Sequence, residues 1–162
     1  MPELIWKEMP ALALSRDASL ITDWDRLNAA RSNLPFLSTR ALVSALEAFG
    51  NGDERLLIAE SGGKHVAMLL IVEDGKLRWR TFQRSQIPLG AWVAEADLPL
   101  DDLVRSALRD GPMKLALSLS ITQVDPLFAP RCDDASDTRY DDYIETAWVD
   151  VVGSFDDYWA AR

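Results

Sequence analysis

The chain has 162 residues, the size of one domain, and its 48% hydrophobic share is enough to build a core. Its 26 acidic residues outnumber 17 basic ones for a formal charge of −9, which argues against nucleic acid or an anionic membrane surface as the main partner. A single cysteine, Cys132, excludes an intrachain disulfide and fits a reducing compartment.

The N-terminal stretch carries Glu3 and Glu8 and no long apolar run, so it does not read as a secretory signal. The longest apolar stretch, Val66–Val72, is too short to span a bilayer. A soluble cytoplasmic protein is the default expectation. Leu4-Ile5-Trp6 reads as a short first strand, continued after Pro10 by Ala11–Leu14. Asp17 or Ser19 then caps a helix whose Leu20, Ile21, Trp24, Leu27 and Asn28 recur at helical spacing. Leu34-Pro35-Phe36-Leu37 is an apolar connection, since Pro35 resists helix there. Ser38 or Thr39 caps a second helix with an apolar face of Leu42, Val43, Leu46 and Phe49, stopped at Gly50-Asn51-Gly52.

Arg55–Phe82 reads as three consecutive strands, Leu56–Glu60, His65–Val72 and Leu77–Phe82. Gly62, Gly63 and Gly75 suit the tight turns between them. The stretch from Gln83 to Pro99 is expected to be a loop with a short apolar piece at Ala91–Val93. A third helix is expected over Leu100–Arg109, with Asp101 and Asp102 in its first turn, and Gly111-Pro112 ends it. Met113–Ile121 alternates and predicts a strand, Asp125–Phe128 a helical turn, and Asp133–Asp142 an acidic surface loop. Tyr143–Val152 predicts a further strand, and Ser154 opens a last helix with Asp156 and Asp157 in its first turn. That helix has no stop signal before Arg162. The expectation is one domain over residues 1–152 and, from 153 to 162, the start of a helix leading to a second domain in a longer protein.

The run DWDRLNAARSNLPFLSTRALVSALEAFG followed by LLIAESGGKHVAMLLIVEDGKLRWRTF resembles the N-terminal half of the CelD/BcsL-type acetyltransferase-like proteins, tandem-GNAT proteins related to the FemAB peptidyltransferases. The residues behind the resemblance are Trp24 and Leu27 on one helix, the Pro35-Phe36 step, a second helix and the Ile58-Ala59…Gly62-Gly63 hairpin. The ending TAWVDVVGSFDDYWAAR resembles the family's linking segment. The resemblance implies the GNAT fold: an α/β (α+β) domain with a mixed, mostly antiparallel sheet and helices on both faces. It also implies an acyl-CoA site mainly in the C-terminal domain of the tandem proteins.

In that fold acetyl-CoA is held by a Q/R-x-x-G-x-G/A loop after the fourth strand, whose backbone N–H groups meet the pyrophosphate. Gln83, Arg84, Ser85 and Gly90 occupy the corresponding stretch and are the cofactor-binding candidates. The glycine spacing departs from that pattern, Pro88 removes a donor, and Asp101 and Asp102 at the next helix would repel a pyrophosphate. An ordinary strand-to-helix connection is therefore the preferred reading. Tyr143 and Glu145, near Tyr140 and Trp148, are the acid–base candidates that the resemblance implies.

His65, the only histidine, reads as a partly exposed hairpin residue rather than a general base. Cys132 beside Asp133 and Asp134 does not read as an activated thiol, and no metal site is expected. Trp148, Phe155, Tyr158 and Trp159 form a candidate surface for a protein partner or a second copy. Three functions follow. One is a GNAT-like acyltransferase lobe degenerate for acetyl-CoA. Another is a non-catalytic acidic protein-interaction or self-assembly module. The third is a stand-alone GNAT acetyltransferase with a divergent cofactor loop, which acetyl-CoA binding separates from the other two.

Overall fold

A computed structural model describes residues 3–84, 87–142 and 153–160. The chain begins with strand β1 (Ile5–Pro10), a 3-10 turn over Ala11–Ser15, helix α1 (Ala18–Arg31), a second 3-10 turn over Pro35–Leu37, where Pro35 takes the first position instead of resisting helix, and helix α2 (Thr39–Phe49). Strands β2 (Arg55–Ser61), β3 (Lys64–Glu73), β4 (Arg78–Thr81) and β5 (Trp92–Ala94) follow. Helix α3 (Leu100–Arg109), strand β6 (Ser118–Ser120) and helix α4 (Phe155–Ala160) complete the described elements.

Local chemistry sets the helix starts. Asp17 caps α1, its carboxylate accepting from the Ser19 and Leu20 N–H groups, and Ser38 caps α2 by accepting from the Ala41 N–H. The Asn28 side chain closes the turn after α1, donating to the Leu34 carbonyl at 3.0 Å and accepting from its N–H at 3.1 Å. Between β2 and β3, Gly62 and Gly63 both take positive φ (57° and 76°), the combination a two-residue hairpin turn requires.

The described strands form one sheet in the order β1-β2-β3-β4-β6, with β5 also on β3. All pairs are antiparallel except β4 with β6, which run parallel. Side chains along β2 and β3 alternate between two cores. Leu56, Ile58, Met68 and Leu70 pack with Trp24, Leu27, Leu42 and Leu46 of α1 and α2. Leu57, Ala59, Leu69 and Ile71 face the other way and pack with Leu100 and Leu103 of α3. Both faces are covered, which is why these two strands read as continuous apolar runs. The fold class expected from the sequence, a mixed and mostly antiparallel sheet with helices on both faces, is thus observed.

Three further local expectations are corrected. Ala11–Leu14 does not continue β1. It turns as a 3-10 helix that buries Ala11 and Leu14, three residues apart, on one side. Of Met113–Ile121 only Ser118–Ser120 is strand. The Met113 N–H instead caps α3 by donating to the Ala107 carbonyl, and its own carbonyl takes the Ala116 N–H. Leu115 and Leu117 are left 76% and 72% exposed. Finally, the apolar piece at Ala91–Val93 is the start of a strand, β5, not of a loop.

Candidate functional site

The place to look for chemistry is where β4 leaves the sheet. Ten-residue β3 carries two partners on one edge: β4 against Ile71–Glu73 and β5 against Ala67–Leu69. The two meet at Leu70. The Phe82 N–H donates to the Leu70 carbonyl at 2.7 Å, and the Leu70 N–H donates to the Ala91 carbonyl at 2.9 Å. The Ala91 N–H closes the ring onto the Phe82 carbonyl at 3.0 Å. Strands β4 and β5 are therefore one strand line interrupted by the excursion 83–90, which holds the cofactor-binding candidates.

The excursion is tied back onto the chain that follows β6. Buried Thr81 shares a hydroxyl–hydroxyl bond of 2.8 Å with Thr122 and accepts from the Thr122 N–H at 2.9 Å. The Gly90 N–H donates to the Thr122 carbonyl at 2.8 Å. A Cβ on Gly90 would lie 2.3 Å from Thr81 Oγ1 and 2.7 Å from the Thr122 carbonyl oxygen, so the position is required by space. The Gln83 carboxamide donates to the Ile87 and Pro88 carbonyls and to Gln123 Oε1. The Ile87 N–H donates to the Arg84 carbonyl at 2.7 Å. Arg84 lays its guanidinium over the Phe82 ring at 5.6 Å. Gln83, Arg84 and Gly90 thus stand on one excursion, whereas Ser85, like Tyr143, Glu145 and Trp148, lies outside the described residues.

A second polar centre, not legible in the sequence, braces the far end of this strand line. The half-buried Arg31 guanidinium, at the end of α1, donates to the carbonyls of Glu95 (2.6 Å), Leu98 (2.5 Å), Phe128 (2.9 Å) and Ala94 (3.4 Å). It also lies over the Trp92 ring at 5.0 Å. Burial draws its pKa below the ordinary arginine value, against the opposing charge of Asp97. These contacts fix the exit of β5 and the loop before α3.

His65 is placed by a β-bulge. The pairing register shifts between Ala59 and Glu60, so His65 rather than Val66 stands opposite Glu60. Its ring nitrogens meet Asp23 Oδ2 at 2.8 Å and Glu60 Oε1 at 3.1 Å. Glu60 also accepts from Lys7 Nζ at 2.6 Å, and Arg26 joins Asp23 to Glu95. The Lys7 hydrogen bond is the leading cause that holds the Glu60 carboxyl below its ordinary value, against burial. This network fastens the hairpin to α1. The two carboxylates lie on opposite sides of the imidazole, and no cluster of metal-ligating side chains occurs among the described residues.

Tyr140 donates from its hydroxyl to the Asp101 carboxylate. Burial first, then that bond and charge, hold its phenol above the ordinary tyrosine value, so it stays protonated at neutral pH. Phe155 and Trp159 stack at 5.9 Å on α4 and are 70% and 66% exposed. No described helix is long and apolar enough to cross a membrane.

Compared with known proteins, the chain matches no family model and no curated protein. Among solved structures it is similar to a GNAT family acetyltransferase from Staphylococcus aureus, with 12% identity over 87% of this chain and 99% of that chain, at a TM-score of 0.42. A likeness of that size assigns neither family nor activity.

Proposed function

We propose that the chain is a GNAT-like acyltransferase lobe that does not itself hold acetyl-CoA, comparable to the N-terminal half of the CelD/BcsL-type proteins. The architecture supports the fold part of this reading. One strand, two helices, an antiparallel meander, a helix on the opposite face and a closing strand parallel to β4 follow in the order that the sequence resemblance implies.

The observation that carries the degenerate part is the state of the 83–90 excursion. Acetyl-CoA would supply an activated acyl group, and its pyrophosphate needs outward-facing N–H donors. Here the Gly90 N–H is taken by Thr122, the Ile87 N–H by Arg84 and the Gln83 carboxamide by three acceptors, while Pro88 has no N–H. Thr81 and Thr122 fill the space beside Gly90. The described residues of the excursion do not fit a pyrophosphate.

Calorimetric titration with acetyl-CoA tests this, beside an Arg84→Ala control. The expected result is no saturable heat up to about 1 mM, the level corresponding to about 4 kcal/mol of affinity. Saturable binding overturns the reading, and weakening by Arg84→Ala would assign the phosphates to the excursion.

A second reading, a non-catalytic interaction module, is favoured by the exposed Phe155–Trp159 stack, which lies one helical turn apart on α4. Light scattering that gives a monomer mass at every concentration would count against its self-assembly form.

A further inference from the structure

We propose that residues 131–142 form a detachable acidic strap across the outer face of α3, docked by polar contacts and released by salt while the sheet stays folded. Within this segment only Thr138 and Tyr140 are half-buried, and the other residues are exposed. Hydrogen bonds and ion pairs fasten it to α3. The Tyr140 hydroxyl donates to Asp101 in the first turn of the helix. Asp137 accepts from Arg105 Nε at 3.3 Å and from Arg109 Nη2 at 3.4 Å, one helical turn apart. Thr138 Oγ1 accepts from Arg105 Nη2 at 3.1 Å.

The strap also holds its own shape. Ala135 and Thr138 bridge through their backbones, and the Asp134 carboxylate accepts the Tyr140 N–H at 2.9 Å. Arg131 lies over the Tyr140 ring at 5.6 Å and donates to the Tyr140 carbonyl at 3.1 Å. A segment with internal bonds and a polar footing leaves as a unit.

What it uncovers favours that exchange. The apolar side of α3, Leu103 and Ala107, faces the core, so release frees Asp101 and Arg105, while Arg109 is already exposed. Exposed ion pairs are individually weak, and raising salt from about 0.01 M to about 1 M shortens the screening length from about 30 Å to about 3 Å. Release is a local opening from the low-stability end of the molecule. It works as a gate on the charged face of α3, closed at low ionic strength and open at high.

Cys132 is the only cysteine, is exposed and lies in the strap, so a nitroxide attached there reports its motion in the full chain. The rotational correlation time is expected to shorten several-fold from low to high salt, with the far-ultraviolet circular dichroism unchanged. Asp137→Asn with Tyr140→Phe should give the short time at both salts, and Arg105→Gln should do the same from the helix side. In the unlabelled chain, tryptic cleavage after Arg139 should accelerate several-fold with salt, relative to a free peptide of residues 134–142. A correlation time or cleavage rate insensitive to salt and to these variants overturns the proposal. So does release that occurs only together with loss of the sheet's circular dichroism.

Discussion

Replacing Arg31 by methionine removes the guanidinium and keeps most of the aliphatic volume. Four carbonyls, those of Ala94, Glu95, Leu98 and Phe128, lose a donor together, and Trp92 loses its cation. Hydrogen bonds to a charged group contribute about 1.5–3 kcal/mol each, and a partly desolvated cation over an aromatic ring about 1 kcal/mol. The sum is offset because the guanidinium no longer has to leave water, the same burial that draws its pKa down. A net loss of about 3 kcal/mol is expected.

Arg31→Lys keeps the charge, but one ammonium cannot span four carbonyls that come from two stretches of chain, so it should lose about 2 kcal/mol. Urea unfolding followed by tryptophan fluorescence reads both. With a slope of roughly 2 kcal/mol/M, the methionine variant's midpoint should fall by about 1.5 M with the slope unchanged. A methionine variant within about 1 kcal/mol of the parent, or a lysine variant equal to it, would refute the brace.

Two further predictions rest on other parts of the fold. Gly90→Ala drives a Cβ into Thr81 Oγ1 and the Thr122 carbonyl, at an expected cost of about 2–3 kcal/mol. For a chain of this size calorimetry should show a melting temperature lower by about 6–10 °C, and an unchanged one would remove the close packing argued for the excursion. The Glu60 carboxyl lies below its ordinary value in the folded chain, so its bond to Lys7 stabilises above the ordinary carboxyl range and is lost as pH falls through the folded value. Lys7→Met should therefore be less stable than the parent by up to about 1 kcal/mol at neutral pH and equal to it in acid. A difference that persists at low pH would show that the loss is packing, not the ion pair.

The sequence by itself determined the elements whose signals are local. Asp17 and Ser38 announce the helices because a cap is made within three residues, and Gly62-Gly63 announces the hairpin because its φ values exclude most side chains. The continuous apolar runs of β2 and β3 announced two strands, while the assignment of their side chains to two cores came only with the helices that cover both faces. Elements set by distant partners were not legible. Three-residue β5 carries too little pattern to be told from a loop, and it is a strand because β3 offers it an edge. Met113–Ala116 alternates like a strand but turns, because its backbone groups are taken by Ala107 and by one another.

The same division runs through the candidate site. Gln83, Arg84 and Gly90 could be picked out by residue type and by their place after the fourth strand, although the glycine spacing departs from the pattern. Only tertiary structure decided that Thr122 takes the Gly90 N–H and that Gln123 faces Gln83. Only the register shift brought His65 opposite Glu60, and only packing brought Arg31 to carbonyls more than sixty residues away along the chain. Local propensity is written in neighbouring residues. A donor's destination depends on which distant segments the core brings together, and that is settled when both faces of β3 are buried.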